Sequence, residues 1–159
     1  MMGLLADTKN QYNYKSKRRK EVMAKKNGTT ESNYTAVIRE SSRELSPKEK
    51  VMFKDLGNAT KAVDYVKECR ANDGRATVDF KDFVVIDIHN DAADNTDYTV
   101  FMLIDKNDNK YYTSSEPFWN AFKNIYDEMK ECDEEWGIEF NLLPSKKYAG
   151  KEILTCSLI

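Results

Sequence analysis

The fold is decided by three neighbouring stretches: FVVIDIHN at residues 83–90, YTVFMLID at residues 98–105 and KYYT at residues 110–113. In the first stretch Val84, Ile86 and Ile88 lie on one side, which predicts a strand with a single core face. The second stretch is apolar on both faces and predicts a second strand. The KNDN turn that follows it returns the chain as a third, antiparallel strand.

The next segment, SSEPFWNAFKNIYDEM at residues 114–129, predicts the best helix of the chain. Thr113 and Glu116 fit a capping box, and Pro117 is tolerated in a first turn. Apolar side chains then recur at helical spacing and form one broad stripe, which is typical of a helix packed on a core. The stripe comprises Phe118, Trp119, Phe122, Ile125, Tyr126 and Met129.

Two more strands follow this helix. Every second side chain is apolar in residues 136–142, and residues 151–159 place Leu154, Cys156 and Leu158 on one side. The order is three strands, a helix and two strands, as in the five-stranded oligonucleotide/oligosaccharide-binding (OB) barrel. A five-stranded α+β sheet with a helix on one face has the same order. We therefore expect a mostly β fold with one packed helix, OB-like in its order, and the second architecture stays open.

The chain upstream of this region predicts additional, shorter elements. Short strands are expected at residues 33–38 and 51–56, and a short helix at residues 59–69. The turn-forming sequence Asn72-Asp73-Gly74 ends that helix. These elements would extend the N-terminal side of the barrel.

The N-terminus differs from the rest in charge. Residues 1–30 hold eight of the 25 basic side chains but only two of the 27 acidic ones, so the remaining chain is acidic. Residues 1–32 are polar and lack sustained periodicity, and we expect a disordered basic arm there, followed by one domain over residues 33–159. An acidic domain can bind a polyanion only at a local site.

Metal and catalytic sites lack their usual signatures. His89 is the only histidine, the three cysteines form no CxxC pair, and neither a Walker loop nor GxGxxG occurs. Residues 105–116 resemble a calcium loop, but Lys110 stands where that loop needs glycine. We expect reduced thiols, no enzyme, no metal and no cofactor. Apolar runs fall short of the ~18 residues of a membrane helix, so a cytoplasmic protein without a membrane partner is expected.

Aromatic and basic residues are concentrated on the predicted hairpin and the last loop. In an OB fold, strands two and three and two loops form the binding face, where rings stack on bases and lysines neutralise phosphates. Adjacent strand residues point to opposite sides, so one of Tyr111 and Tyr112 faces outward, and which one is left open. About half of these aromatics are expected inside the barrel. The expected nucleic-acid contacts are Tyr98, Phe101, Lys106, Lys110, Tyr111, Tyr112, Lys146, Lys147, Tyr148 and Lys151.

Several segments resemble a family of single-stranded DNA-binding proteins of bacteriophages and related mobile elements. They are YYTSSEPFW at residues 111–119, EW at 135–136, PSKKYAGKEILTCS at 144–157, FKDLGNA at 53–59 and HN at 89–90. The resemblance implies an OB-like fold and sequence-independent binding of single strands during DNA replication or recombination. It assigns no DNA contact to any residue, so the expected contacts rest on the fold.

The expected function is therefore non-catalytic binding and protection of single-stranded DNA, in the host cytoplasm if a phage encodes the chain. Replication or recombination proteins are expected as further partners, and self-association is left open. The alternative is a non-enzymatic protein-interaction adaptor or small phage structural protein with the same β-rich fold. In that case the basic arm and the acidic body would mediate assembly.

Overall fold

A computed structural model describes residues 33–159, so the expected arm at residues 1–32 lies outside the described residues. Residues 35–89 and 95–159 form one compact unit, and residues 33, 34 and 90–94 belong to a second. Within the second unit, the Asp91 N–H donates to the Asn33 carbonyl at 3.0 Å. The elements in chain order are β1 (Tyr34–Ser41), α1 (Pro47–Lys54), a 3-10 turn (Leu56–Asn58), β2 (Thr60–Lys61), α2 (Ala62–Ala71), β3 (Ala76–Asn90), β4 (Asp97–Asp105), β5 (Lys110–Thr113), α3 (Glu116–Met129), β6 (Gly137–Pro144) and β7 (Glu152–Leu158).

The long strand β3 organises the sheet. Its first part pairs antiparallel with β6 and its second part with β4. The partner changes between Asp79 and Phe80, and the register with β4 shifts directly afterwards, between Phe80 and Asp82. Such an irregularity bends a strand and lets a sheet curl. The strand order is β2-β5-β4-β3-β6-β7, and β1 pairs with β3 off this path. The expected order of three strands, a helix and two strands is confirmed from β3 to β7, and the fold is mostly β.

One face of the sheet is covered by α3. Phe118 and Phe122 of this helix are 1% and 0% exposed and pack with side chains of β3, β4, β6 and β7. We call this cluster the α3-side core, and it includes Phe83, Phe101 and Phe140. The predicted packing of the helix stripe is confirmed for Phe118 and Phe122, and for Trp119, Ile125 and Tyr126, which are partly buried against the same core. Its cap is Ser115 rather than the expected Thr113, because the Ser115 hydroxyl accepts from the Phe118 N–H.

The opposite face of the sheet is buried as well, which corrects the expectation of a single core side on residues 83–90. Val84 and Ile86 are 0% exposed and pack with Phe53 of α1 and Leu45 before it. We call this cluster the α1-side core, and Met102 of β4 belongs to it. The sheet is therefore covered on both faces, by α3 on one and by Leu45, α1 and the β1 residues Ala36 and Ile38 on the other, which explains why residues 83–86 are apolar without interruption.

Helix α1 replaces the strand expected at residues 51–56. The Ser46 hydroxyl accepts from the Glu49 N–H, and the Glu49 carboxylate accepts from the Ser46 N–H, which forms a complete capping box. Pro47 occupies the first turn, where its missing N–H costs nothing. These local signals start a helix that continues through the apolar residues and turns Phe53 into the α1-side core. The expected strand was wrong because the cap favours helix.

Helix α2 confirms the short helix expected at residues 59–69, although it begins later. Thr60 and Lys61 first pair in parallel with Tyr111 and Tyr112 of β5. The helix then packs against β5 and β6, with Val66 buried in the α3-side core. The helix ends in the expected turn at residues 72–74, in which Asp73 has a φ of 57° and lets the chain reverse its direction.

Among residues 33–159, no helix is long and apolar enough to span a bilayer. All three cysteines are free thiols, as expected. Burial raises the pKa of Cys156 to about 12, which keeps that thiol protonated and unreactive.

Candidate nucleic-acid interface

The predicted aromatic contacts of β4 do not share one surface. Phe101 is 6% exposed and stacks on Trp119 of α3, with ring centroids 4.7 Å apart and planes inclined by 5°. Its ring has no exposed face for a base, so Phe101 is removed from the expected contact set. Tyr98 is half-buried and packs against the α1-side core.

The two tyrosines of β5 point to opposite faces, as expected for neighbours on a strand. Tyr111 packs on the α3-side core, 4.5 Å from the ring of Tyr65, and burial raises its pKa. Tyr112 packs on the α1-side core. Both rings are half-buried against these cores, so each offers less free surface for base stacking than an exposed ring.

The two hairpin lysines are already engaged by the protein. The Lys110 ammonium donates to the carbonyls of Met52 and Asp55 at 2.7 and 3.3 Å, and burial lowers its pKa. Lys106 forms an ion pair with Glu135 at 3.2 Å. The turn between them is an ordinary hairpin turn, in which the Asp105 carboxylate accepts from the N–H groups of Asn107 and Asn109.

The loop that joins β6 to β7 differs from the hairpin, because its basic and aromatic side chains are exposed to solvent. The Ser145 hydroxyl accepts from the N–H groups of Lys147 and Tyr148 at 3.2 and 3.0 Å, which folds the loop into a compact turn. The Ser145 N–H donates to the Lys151 carbonyl at 2.8 Å and closes its base. Gly150 has a φ of 78°, a backbone conformation that favours glycine.

This turn displays four of the predicted contacts together. Lys146, Lys147 and Lys151 are exposed, and none of them forms an ion pair within residues 33–159. The Tyr148 ring is 57% exposed, and the Lys147 ammonium lies 5.5 Å from its centroid. We call these four residues the β6–β7 loop surface. It combines an accessible ring with three lysines that pair with no carboxylate of the described residues, the two features that single-strand binders use.

An exposed apolar pair flanks the loop and was missed by the sequence analysis. Leu143 and Ile153 are opposite each other in the register of β6 and β7 and are 52% and 39% exposed. The signal was present, because Leu143 interrupts the alternation that buries Phe140 and Leu142. Side chains opposite each other on paired strands contact one another, so Leu143 and Ile153 form one small apolar surface beside the lysines.

Within residues 33–159, no three His, Cys, Asp or Glu side chains are grouped to hold a metal ion. The Nδ1 atom of His89 lies 2.8 Å from the Asp97 carboxylate, and this contact lowers the pKa of Asp97. The pair belongs to the β3–β4 ladder, away from the β6–β7 loop in the chain.

Comparison with known proteins finds no matching family model, no matching curated protein and no matching solved structure. The resemblance to phage single-stranded DNA-binding proteins therefore stays a prediction. The candidate interface rests on the geometry and charge of the β6–β7 loop surface.

Proposed function

We propose that this chain binds single-stranded DNA without sequence preference, through the β6–β7 loop surface. The observation that carries the proposal is the exposed Tyr148 ring beside three lysines that pair with no described carboxylate. An exposed ring stacks on any base, and lysines neutralise phosphates irrespective of sequence. The proposed role is the binding and protection of single strands during the replication or recombination of phage or mobile-element DNA.

The strand order supports an OB-like assignment. The first strand of an OB barrel pairs with both the second and the fourth, and β3 pairs with both β4 and β6. A helix joins the third and fourth strands, as α3 joins β5 to β6. On this assignment the β6–β7 loop is the loop between strands four and five, which contributes to nucleic-acid binding in OB folds. The chain departs from the simple barrel at β5, whose second neighbour is β2.

The α1-side core shifts the proposed contacts away from the hairpin. In an OB fold the outer face of strands two and three is a binding platform, but here Met102 and Ile104 on that face of β4 are at most 1% exposed. Single-strand binding through the hairpin would require removal of α1 from a buried apolar surface. The loop surface needs no such rearrangement, so we assign binding to the loop.

The proposal is tested by titrating a labelled oligothymidylate and a duplex of the same length with the full chain at low salt. Fluorescence anisotropy should rise for the single strand at much lower protein concentration, because a duplex keeps its bases stacked away from Tyr148. Mixed-sequence single strands should bind about as tightly. Equal affinities for duplex and single strand would contradict the proposal.

A protein-interaction adaptor is the second candidate function, and one observation favours it. The apolar pair Leu143–Ile153 is exposed on the strands that end the sheet, and exposed apolar surface beside polar residues is typical of protein contacts. Absence of single-strand binding in the titration above, with a folded protein, would favour this candidate.

A further inference from the structure

We infer that a groove beside the β6–β7 loop holds a base of the same single strand, so that the DNA-binding track extends from the loop towards α2. This inference rests on the proposed function and adds a second contact region to it. The groove has a volume of about 430 Å³ and lies between α2, the start of α3 and β7. That volume falls in the range of about 300–1,000 Å³ that is typical of small-molecule sites.

The groove is apolar where a base would lie and basic at its rim. Its walls include Val63 of α2, Pro117 of α3 and Ile153 of β7. Lys67, one helical turn after Val63, is exposed and forms no ion pair within residues 33–159. An apolar slot with a cation at its edge suits a nucleotide, because the base is largely apolar on its faces and the phosphate is anionic.

The acidic residue of the groove is neutralised from within the protein. The Glu152 carboxylate lies 3.5 Å from the Arg70 guanidinium, which also donates to the Leu142 carbonyl at 2.6 Å. Arg70 is thus held by two partners and offsets the charge of Glu152. Among the described residues that line the groove, Lys67 is the charged side chain that forms no ion pair.

Chain continuity connects the groove to the loop surface. Glu152 and Ile153, which line the groove, directly follow Lys151 of the loop. Glu152 is opposite Pro144 in the ladder, so the groove begins at the base of the loop. A single strand stacked on Tyr148 can therefore continue into the groove, whose lining includes none of the acidic residues at 131–135.

The inference is tested with two oligothymidylates, of about 4 and about 12 nucleotides, which lie within the site sizes of OB folds. Full-length Lys67→Ala and Ile153→Ser are compared with Tyr148→Ala as the loop variant. Lys48→Ala serves as the matched control, since Lys48 is an exposed lysine of α1. Thermal unfolding of each variant verifies that the fold is retained.

The expected result is a length-dependent loss. Lys67→Ala should lower the slope of log affinity against log salt by about 0.7 for the long oligomer and leave the short one unchanged. Ile153→Ser should lower the affinity for the long oligomer about fivefold or more. Tyr148→Ala should lower the affinity for both oligomers. If Tyr148→Ala loses affinity and both groove variants bind the long oligomer like wild type, the groove inference is overturned and the proposed function stands. If the wild-type protein binds neither oligomer, both the groove inference and the proposed function are contradicted.

Discussion

The Lys110 ammonium donates to the Met52 carbonyl at 2.7 Å and to the Asp55 carbonyl at 3.3 Å. Met52 belongs to the last turn of α1, and Asp55 is its C-terminal cap residue. The two carbonyls also accept from the N–H groups of Asp55 and Asn58 at 3.3 and 3.4 Å, and Lys110 adds a positive charge at the C-terminal end of the helix, which the helix dipole favours. A lysine that the sequence suggested for DNA binding therefore fastens α1 to the β4–β5 hairpin.

Lys110→Met should consequently reduce stability without reducing DNA affinity. The substitution keeps most of the aliphatic stem and removes the donor, so we expect a loss of about 1 kcal/mol in the free energy of unfolding. Urea denaturation measures it. Lys106→Met is the matched control, because its exposed pair with Glu135 is worth little. A drop in single-strand affinity with unchanged stability would show that Lys110 serves the DNA instead.

Phe101 should behave as a core residue. Phe101→Ala removes the ring stacked on Trp119 and should cost ~3–5 kcal/mol of stability. Phe101→Leu retains much of the volume and should cost clearly less. Oligonucleotide titration at a temperature where both variants are folded should give wild-type affinity. Weaker binding by the folded Leu variant would place this ring at the interface.

Acid sensitivity should depend on Glu49. The Arg43 guanidinium donates to its carboxylate, and this hydrogen bond lowers the pKa of Glu49 from 4.5 to about 2. A carboxyl with a lowered pKa in the folded state stabilises the protein above its unfolded pKa, and this contribution is lost as pH falls towards the folded pKa. Glu49→Gln should therefore be less stable than wild type at neutral pH, and the difference should shrink between pH 4.5 and about 2.

Thermal unfolding of wild type and Glu49→Gln over that pH range measures the effect. Glu44→Gln is a suitable control, since Glu44 is an exposed carboxyl two residues before the Ser46 cap. A constant difference between wild type and Glu49→Gln at every pH would contradict the role of the Arg43–Glu49 pair.

Tyr148 and Tyr111 should separate binding from folding. Tyr148→Ala removes a 57% exposed ring and should lose ~1–3 kcal/mol of binding to a single strand with little change in stability. Tyr111→Ala removes a ring packed against Tyr65 and Phe140 and should lower the melting temperature instead. The reverse assignment of the two effects would place the interface on β5.

The strand order and α3 were predictable because their signals are local and periodic. The alternation in residues 136–142 and the stripe containing Phe118 and Phe122 follow directly from burial on one side. The helix α1 was also signalled, by Ser46 and Glu49, but the apolar residues after them suited a strand equally well. The capping box decides between the two structures.

The second buried face and the roles of the hairpin lysines were not predictable in the same way. Both depend on where α1 packs, and the contact between Lys110 and the Met52 carbonyl joins residues 58 positions apart. The loop that carries Lys146 and Lys147 was predictable, because Pro144 and Gly150 bound a polar turn, whereas the DNA contacts expected of these exposed lysines stay a prediction. Sequence periodicity locates strands and loops, whereas the layer that covers a sheet depends on tertiary contacts.

The central claim, that the β6–β7 loop surface binds single strands, is tested most directly by the salt dependence of affinity in the double variant Lys146→Ala/Lys147→Ala. The control is Lys48→Ala/Lys50→Ala, which removes two exposed lysines from α1. Each lost phosphate contact on a single strand lowers the slope of log affinity against log salt by about 0.7. The account predicts a slope reduced by about 1.4 in the loop variant and little changed in the control. Equal slopes in the loop variant and wild type would contradict it.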